Sequence, residues 1–218
     1  YFLGVVFLLP IGGTSRPRST VDNTILRDIS DGMRYVWTTP AVLAVIGIGY
    51  SFGFFAAAYI QIMPAFAKAV LGAGAGGAGL LITATGIGSL LGSLVLASLG
   101  NARHKNWLLL GTILTFDIAL MAFAWSSWFW VSWVILLFVG LGFNGYISMG
   151  TTVLQLTVPP GLLGRVMSLW LLTAAFHYMG ALPLGYVADL FSWPISITIG
   201  ATIFLFVIIW LGLLRPTL

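Results

Sequence analysis

The sequence predicts an all-α, polytopic membrane helix bundle of six complete transmembrane helices, preceded by the tail of another helix. The first observation is composition: 60% of the 218 residues belong to the set AVILMFWYC, whereas Asp, Glu, Lys and Arg make up 6%. A soluble domain carries about 25% charged residues, so this composition excludes a soluble enzyme, a nucleic-acid-binding protein and a disordered chain. The second observation is that the apolar runs are long and continuous, whereas a transmembrane barrel shows short alternating segments.

Residues 1–10 form an apolar run that ends at Pro10. This run is shorter than the roughly 20 residues that a helix needs to cross a bilayer. It also lacks the basic start and the small-residue cleavage site of a signal peptide. We therefore expect it to be the tail of a transmembrane helix that begins upstream, and we expect the chain to be a fragment.

Residues 11–39 form the most polar segment and are predicted to be a cytoplasmic linker. The segment contains four arginines and three aspartates, which are Arg16, Arg18, Arg27, Arg34, Asp22, Asp28 and Asp31. After Val21, apolar residues recur at helical spacing, at Ile25, Ile29, Met33 and Val36. This pattern predicts a short amphipathic helix that lies on the membrane surface.

Residues 40–218 are predicted to form a six-helix unit, because rare charged residues divide long apolar runs. No charge occurs between Arg34 and Lys68, and none occurs between Lys68 and Arg103. A helix needs about 20 residues per crossing, which gives six spans. They cover about 41–66, 75–99, 107 to the tryptophan cluster at 125–130, 129–152, 165–188 and 194–214.

The basic residues determine the predicted orientation. If the linker is cytoplasmic, every one of the 9 Lys and Arg residues except Lys68 falls on the cytoplasmic side, as the positive-inside rule requires. Both ends of the six-helix unit are then cytoplasmic, and the lipid bilayer is the expected partner. The chain has no Cys, which excludes disulfides and thiolate metal sites. No metal site and no cofactor are predicted.

A glycine-rich motif of soluble enzymes occurs at the start of the second predicted span. Residues 74–79 fit G-x-G-x-x-G, but that dinucleotide-binding fingerprint needs a preceding strand. The same span continues with small residues at Gly86, Gly88 and Gly92. We interpret these glycines as positions where helices approach each other closely.

A second enzyme motif, G-x-S-x-G, occurs at residues 49–53. Asp117 and His177 follow Ser51 in the order of a Ser-Asp-His triad. A nucleophile elbow is a strand-to-helix turn, whereas Ser51 lies in an uncharged helical run. The sequence therefore predicts no catalytic residue, with an intramembrane serine hydrolase as an alternative.

Two ionisable residues, Asp117 and His177, are predicted near the middle of the bilayer. Ionisable groups at this depth are costly and are candidates for a substrate or ion pathway. The alternative is a structural hydrogen bond between helices, which the apolar neighbours of Asp117 favour. For His177 both interpretations stand, because Thr173 lies one turn before it on the same face. This span is also expected to be kinked or jointed at Gly180, Pro183 and Gly185.

The predicted span 129–152 carries a polar stripe. Asn144, Ser148 and Thr152 recur every four residues, and Gln155 follows. The first predicted span has a similar, more aromatic face, with Tyr50, Phe54 and Gln61. Such faces turn toward an aqueous cavity or a neighbouring helix, so both faces are pathway candidates. The alternative is a polar seam of interhelical hydrogen bonds.

Several motifs together carry a resemblance to a known family. They are Gln155, Pro159-Pro160, Gly164-Arg165-Val166-Met167-Ser168-Leu169, Pro183-Leu184-Gly185, Ala188-Asp189, and the glycine-rich residues 72–79 after Met63-Pro64-Ala65-Phe66-Ala67. On these residues, the chain resembles the C-terminal half of a major facilitator superfamily transporter, the last six of twelve helices. Within that superfamily it is similar to the enterobactin-exporter-like and multidrug-efflux-like branch.

The sequence also departs from the family pattern in its loops. Leu163 stands where the branch commonly has Arg, and the loop 100–105 keeps basic residues but lacks the acidic residue of the superfamily signature. The resemblance makes Arg103, Lys105 and Arg165 candidates for a cytoplasmic gate. Their alternative role is ordinary anchoring at the membrane interface.

The resemblance implies a secondary active transporter that exports a small molecule, such as a drug or siderophore, across the bacterial inner membrane. Two six-helix halves would rock around a site at mid-bilayer, so the implied partners are the missing N-terminal half and a small-molecule substrate, with no nucleic acid. In this family, the spans at 41–66 and 129–152 line the cavity, and transport is often proton-coupled. A non-transporting membrane scaffold subunit is the competing hypothesis.

Overall fold

The computed structural model of the chain describes residues 25–98 and 105–214, and every regular element in these ranges is a helix. The all-α prediction is therefore confirmed. The predicted helix tail at residues 1–10, the beginning of the linker and the loop with Arg103 lie outside the described residues.

One helix precedes a bundle of six spans. The linker helix covers Ile25–Thr38. The first to sixth spans are Pro40–Ala69, Ala75–Ser98, Lys105–Ala124, Phe129–Thr157, Pro160–Leu190 and Trp193–Leu214. Five of them are long and apolar enough to cross a membrane, and the third contributes a shorter apolar helix, Leu108–Ala124. The prediction of a polytopic membrane bundle is thus confirmed.

The fifth span begins earlier than the sequence predicted. Its helix starts at Pro160, after Pro159 in an extended conformation, and not at Arg165. Proline is favoured in the first helical turn because its missing N–H has no helical partner there. The charge of Arg165 suggests a later helix start, whereas the proline is the local signal that agrees with the structure.

The first span is an α-helix with an interruption near its middle. It runs as Pro40–Ser51, then as a π-helical segment over Phe52–Ala56, and resumes as an α-helix over Tyr59–Ala69. The Ala57 amide donates to the Phe52 carbonyl over 2.7 Å, which is the five-residue spacing of a π-helix.

The fifth span has a matching interruption, a 3₁₀ turn at Thr173–Ala175 between helices Pro160–Leu172 and Phe176–Leu190. The kink or joint expected at Gly180 and Pro183 stays a prediction, because Pro183 lies inside the helix Phe176–Leu190, where a proline bends the helix without ending it. The two interruptions contact each other closely: a Cβ on Gly53 of the first span would lie 2.5 Å from the Thr173 carbonyl oxygen.

The fourth span lies between the second and third spans, and glycines bring these helices together. A Cβ on Gly88 or Gly92 would collide with the backbone of Leu137 or Leu141. The packing interpretation is thus confirmed for these two glycines. It is wrong for Gly86 and for the glycines at 74, 76 and 79, where a Cβ would meet open space. Gly86 lies half a helical turn away from Gly88 and faces outward.

Aromatic rings join four spans in the core. The Phe52 ring centroid lies 4.8 Å from that of Phe116, 4.4 Å from that of Tyr146 and 5.4 Å from that of Phe204. Phe52 is the first residue of the π-helical segment. The interruption of the first span is therefore held from one side by this aromatic cluster and from the other by the fifth span.

Candidate functional site

The polar stripe of the fourth span divides into two parts. The Asn144 amide donates to the Ser89 carbonyl over 3.2 Å and to the Ser93 hydroxyl. Ser89 in turn donates to the Gly140 carbonyl over 3.1 Å. Asn144 therefore lies in a seam of hydrogen bonds between the second and fourth spans, which is the interhelical alternative to a cavity-facing position.

Ser148 and Thr152, the remaining part of the stripe, lie further along the fourth span. Both residues are half-buried, and the Thr152 hydroxyl donates to the Ser148 carbonyl over 2.8 Å within the helix. Next to them, the Trp170 indole of the fifth span donates to the Thr151 hydroxyl over 3.1 Å. Thr151, the neighbour of Thr152 in the sequence, therefore joins the fourth span to the fifth.

Tyr50 joins the first span to the fifth. Its hydroxyl donates to the Leu169 carbonyl over 3.2 Å, and its ring meets the edge of Phe176 at 4.6 Å between centroids. Gln61 lies in the second α-helical segment of the same span, Tyr59–Ala69, and is exposed. The two candidates of the first span therefore have different environments, one packed against the fifth span and one open.

His177 is the second residue of the helical segment Phe176–Leu190, which follows the 3₁₀ turn of the fifth span. It is half-buried, and its imidazole lies 4.2 Å from the Tyr178 ring. The Thr173 hydroxyl donates to the Trp170 carbonyl over 2.6 Å, so Thr173 is not held by the imidazole. Across the described ranges, His177 has no hydrogen bond that would make it a structural link between helices.

Asp117 is only 1% exposed, in the middle of the third span. Neither of its carboxylate oxygens has a hydrogen-bond partner among residues 30–98 and 108–211. The structural hydrogen bond that its apolar neighbours favoured is therefore wrong for the described part of the chain. Burial of a carboxyl group without a partner is costly, so Asp117 should lower the stability of the folded chain.

The hydrolase alternative finds no geometric support. Ser51 ends the first α-helical segment of the first span and lies within a helix, not at a strand-to-helix turn. No hydrogen bond links Ser51, Asp117 and His177 in the described part of the chain. These residues have the right order in the sequence but do not form a catalytic triad.

Arg165 makes a contact at the predicted cytoplasmic gate. Its guanidinium Nη1 donates to the Asp31 carboxylate of the linker helix over 3.1 Å. A Cβ on Gly32 would lie 3.1 Å from the Arg165 Cβ, so the two backbones are close. Lys105 begins the third span, with its side chain outside the described residues.

Two further residues, Asp31 and Tyr59, are not among the candidates that the sequence predicts. Asp31 was assigned only to a polar linker, although an acid on an amphipathic helix near a cytoplasmic arginine is a signal for an ion pair. Tyr59 was missed altogether. It is 1% exposed, and its side chain lies beside that of Thr85 in the second span. The available signal was a hydroxyl group inside an apolar run, next to three alanines.

A known protein family matches the chain over nearly its whole length. The profile of the transmembrane secretion effector family, part of the major facilitator superfamily, matches residues 1–216. Neither a curated protein nor a solved structure matches the chain significantly. The match covers nearly the whole chain and agrees with an all-helical bundle of apolar spans. The chain therefore belongs to the transmembrane secretion effector family of the major facilitator superfamily and is an integral membrane transporter protein.

Proposed function

We propose that the chain is the six-helix C-terminal half of a secondary active transporter that exports a small molecule by alternating access. The observation that carries this proposal is the paired interruption of the first and fifth spans, at Phe52–Ala56 and Thr173–Ala175. Substrate sites of secondary transporters commonly form where membrane helices are discontinuous, and π-helical segments are frequent at functional sites.

The residues around the paired interruption form the proposed pathway. Tyr50 and His177 flank it, Ser148 and Thr152 lie within one turn of Thr151, which the fifth span contacts, and Gln61 is exposed toward the other end of the first span. These residues carry hydroxyl, amide and imidazole groups and no permanent charge. Asn144 and Asp117 lie outside this set of residues. Asn144 lies in the hydrogen-bonded seam between the second and fourth spans, and Asp117 is buried in the third span.

The missing N-terminal half is the proposed partner of the fifth span. This span exposes large side chains along one stretch: Tyr178 at 63%, Met179 at 56%, Leu182 at 77% and Tyr186 at 67%. In a membrane, such a face meets either lipid or another helix. The tyrosines favour a helix partner with polar groups, which fits a second six-helix half better than acyl chains do.

The proposed membrane is the bacterial inner membrane, with both ends of the six-helix unit in the cytoplasm. Support comes from the similarity to exporters of the enterobactin and multidrug type and from the distribution of basic residues. Lys68, the exception to the cytoplasmic set, lies exposed in the last turn of the first span.

Export is tested with the full-length protein in a host that lacks its major efflux pumps. Cells that express the transporter should accumulate less of at least one compound from a panel of fluorescent drugs and siderophores than cells with an empty vector. A protonophore should abolish the difference if protons drive export. Equal accumulation across the panel at confirmed membrane expression would contradict export and favour the scaffold hypothesis.

A further inference from the structure

The linker helix, Ile25–Thr38, packs against the bundle with one face. On this face, Val36 is 3% exposed, and a Cβ on Gly32 would lie 3.1 Å from the Arg165 Cβ of the fifth span. Next to it, the Asp31 carboxylate accepts a hydrogen bond from the Arg165 guanidinium over 3.1 Å. The bundle therefore already occupies this face of the linker helix, and a further partner can bind only elsewhere on the helix.

The other side of the linker helix is exposed and combines apolar groups with a positive charge. Met33 is 42% exposed and Trp37 is 66% exposed, and side chains four residues apart lie on the same face of a helix. Arg34 is exposed beside them. Among residues 30–98 and 108–211, its guanidinium forms no ion pair and no hydrogen bond. These three residues, the exposed linker surface, therefore include a cation that can bind an anion without breaking an existing pair.

The linker helix lies where the spans leave the bilayer. It ends at Thr38, and the first span begins at Pro40. Between them, Thr39 is extended, with φ −110° and ψ 100°, as expected for a residue before proline, so the chain changes direction there. The Tyr35 hydroxyl donates to the Thr157 carbonyl over 3.5 Å, at the end of the fourth span. These contacts hold the linker helix at the end of the bundle, next to the membrane surface.

A bilayer offers partners for both parts of the exposed linker surface. Apolar side chains of a surface helix enter the boundary between headgroups and acyl chains, and Trp is favoured there because its ring is amphipathic. The guanidinium of Arg matches phosphate oxygens with paired hydrogen bonds. An anionic phospholipid leaves its phosphate charge uncompensated, whereas phosphatidylcholine carries a cation beside the phosphate. The chemistry of the exposed linker surface therefore favours an anionic lipid.

We propose that the exposed linker surface binds an anionic phospholipid, whose phosphate contacts Arg34 and whose acyl chains pack against Met33 and Trp37. The lipid would hold the linker helix on the membrane, on the cytoplasmic side in the proposed orientation. The N-terminal half is the competing occupant. Protein interfaces are depleted of charged residues at their centre, so the unpaired arginine fits a layer of headgroups better. The proposal is independent of the substrate and the direction of transport.

The binding test follows the unfolding temperature of the purified full-length transporter in detergent during titration with dioleoyl phosphatidylglycerol or dioleoyl phosphatidylcholine. The anionic lipid should raise this temperature at a lower concentration than the zwitterionic lipid. Arg34→Gln should need about fivefold more phosphatidylglycerol for the same rise, because one basic residue contributes about 1 kcal/mol near an anionic membrane surface. Lys68→Gln, which removes an exposed charge at the other end of the first span, should respond as the wild type does.

A second pair of variants tests the apolar part of the surface. Trp37→Ala should weaken the response to both lipids, because both carry the same acyl chains. Trp128→Ala removes a ring that is 75% exposed directly before the fourth span, whereas the linker helix contacts the other end of that span, so this control should not. Glycerol phosphate, which lacks acyl chains, should not raise the unfolding temperature at the lipid concentrations used. Each variant should elute as the wild type does on size exclusion.

Photo-cross-linking of the full-length transporter in native membranes identifies the occupant. With p-benzoylphenylalanine in place of Trp37, ultraviolet light should produce protein whose mass is increased by that of one phospholipid. Cross-links from this position to the N-terminal half would overturn the proposal and assign the surface to that half. Equal phosphatidylglycerol titrations of the wild type and Arg34→Gln, or equal responses of the wild type to the two lipids, would overturn it too, because either result excludes a specific contact between Arg34 and an anionic headgroup.

Discussion

Asp117 is a buried acidic residue in the third span. Its buried carboxyl group lacks hydrogen-bond partners there, and such a group costs about 1–3 kcal/mol. Asp117→Val removes the polar atoms with a modest change in volume. We expect this variant of the full-length transporter to unfold at a higher temperature, measured by thermal challenge and fluorescence-detected size exclusion.

Thr112→Val is the matched control on the same span. The Thr112 hydroxyl is buried but donates to the Leu109 carbonyl over 2.8 Å, so its removal should not stabilise the protein. A lower unfolding temperature for Asp117→Val would mean that the carboxyl group has a partner outside the described residues. A stabilised variant that no longer transports would identify Asp117 as functional, since active sites often retain destabilising groups.

His177 is the residue at which a pH effect on transport is expected. It follows the 3₁₀ turn, it is half-buried, and it lacks a structural hydrogen bond in the described part of the chain. An imidazole changes charge between about pH 5 and 8. His177→Gln keeps a polar group of similar reach but removes the titration, so we expect efflux to lose most of its pH dependence in this range. An unchanged rate and pH profile at matched expression would leave His177 as a packing residue.

The contact between the first and fifth spans can be tested by adding a methyl group at a glycine. Gly53→Ala would place a Cβ 2.5 Å from the Thr173 carbonyl oxygen and 3.2 Å from the Phe176 Cβ. We expect a loss of about 1–3 kcal/mol of stability, typical of overpacking. Gly47→Ala is the control on the same helix, because its Cβ meets open space, and there alanine should stabilise slightly. Equal unfolding temperatures for the two variants would contradict this contact.

The linker helix contacts the fifth span through an ion pair. Asp31 and Arg165 form an ion pair with side chains 44% and 27% exposed, and exposed pairs contribute about 0–1 kcal/mol. Asp31→Asn should therefore change thermal stability little but slow transport by up to about fivefold, the ratio that corresponds to 1 kcal/mol, if the pair orients the linker.

Arg165→Gln should be the more harmful of the two changes, because Arg165 has an interaction besides the one with Asp31. The charge-exchanged double variant, Asp31→Arg with Arg165→Asp, should recover part of the activity that either single charge reversal loses. Double-variant activity no better than that of the worse single reversal would contradict a specific pairing and favour simple interfacial anchoring by Arg165.

The helices of this fold can be predicted from the sequence, whereas the interruptions within them cannot. The linker helix and the spans follow from local signals, namely apolar spacing and the distance between charges. The interruptions at Phe52–Ala56 and Thr173–Ala175 do not, because they depend on a backbone contact between spans far apart in sequence. Asn144 is a similar case. Its spacing predicts a polar face, but the same residue types occur on a face that lines a cavity and on a face that contacts a neighbouring helix. The spacing alone therefore does not predict the contact with the second span.

At the scale of the whole molecule, the surface suits a bilayer. The second span exposes Leu90 at 68% and Leu94 at 67%, and the sixth exposes Phe206 at 68% and Trp210 at 62%. Exposed apolar area of this extent would cause aggregation in water. In a membrane the same side chains face lipid, and the buried glycines of the second and fourth spans supply the helix contacts that the hydrophobic effect cannot supply there.

The orientation of the whole bundle remains a prediction, and its test is single-cysteine labelling with a membrane-impermeant maleimide in intact cells. This chain has no native Cys, so each introduced thiol reports one position. Ala69→Cys, in the last turn of the first span, and Ser127→Cys, between the third and fourth spans, are exposed and should be labelled from outside. Gly161→Cys, exposed at the start of the fifth span with open space around its Cβ, should react only after the membrane is permeabilised.

The reverse labelling pattern would mean that the bundle has the opposite orientation in the membrane. Asp31 and Arg165 would then face outward, which would also rule out their proposed role at a cytoplasmic gate.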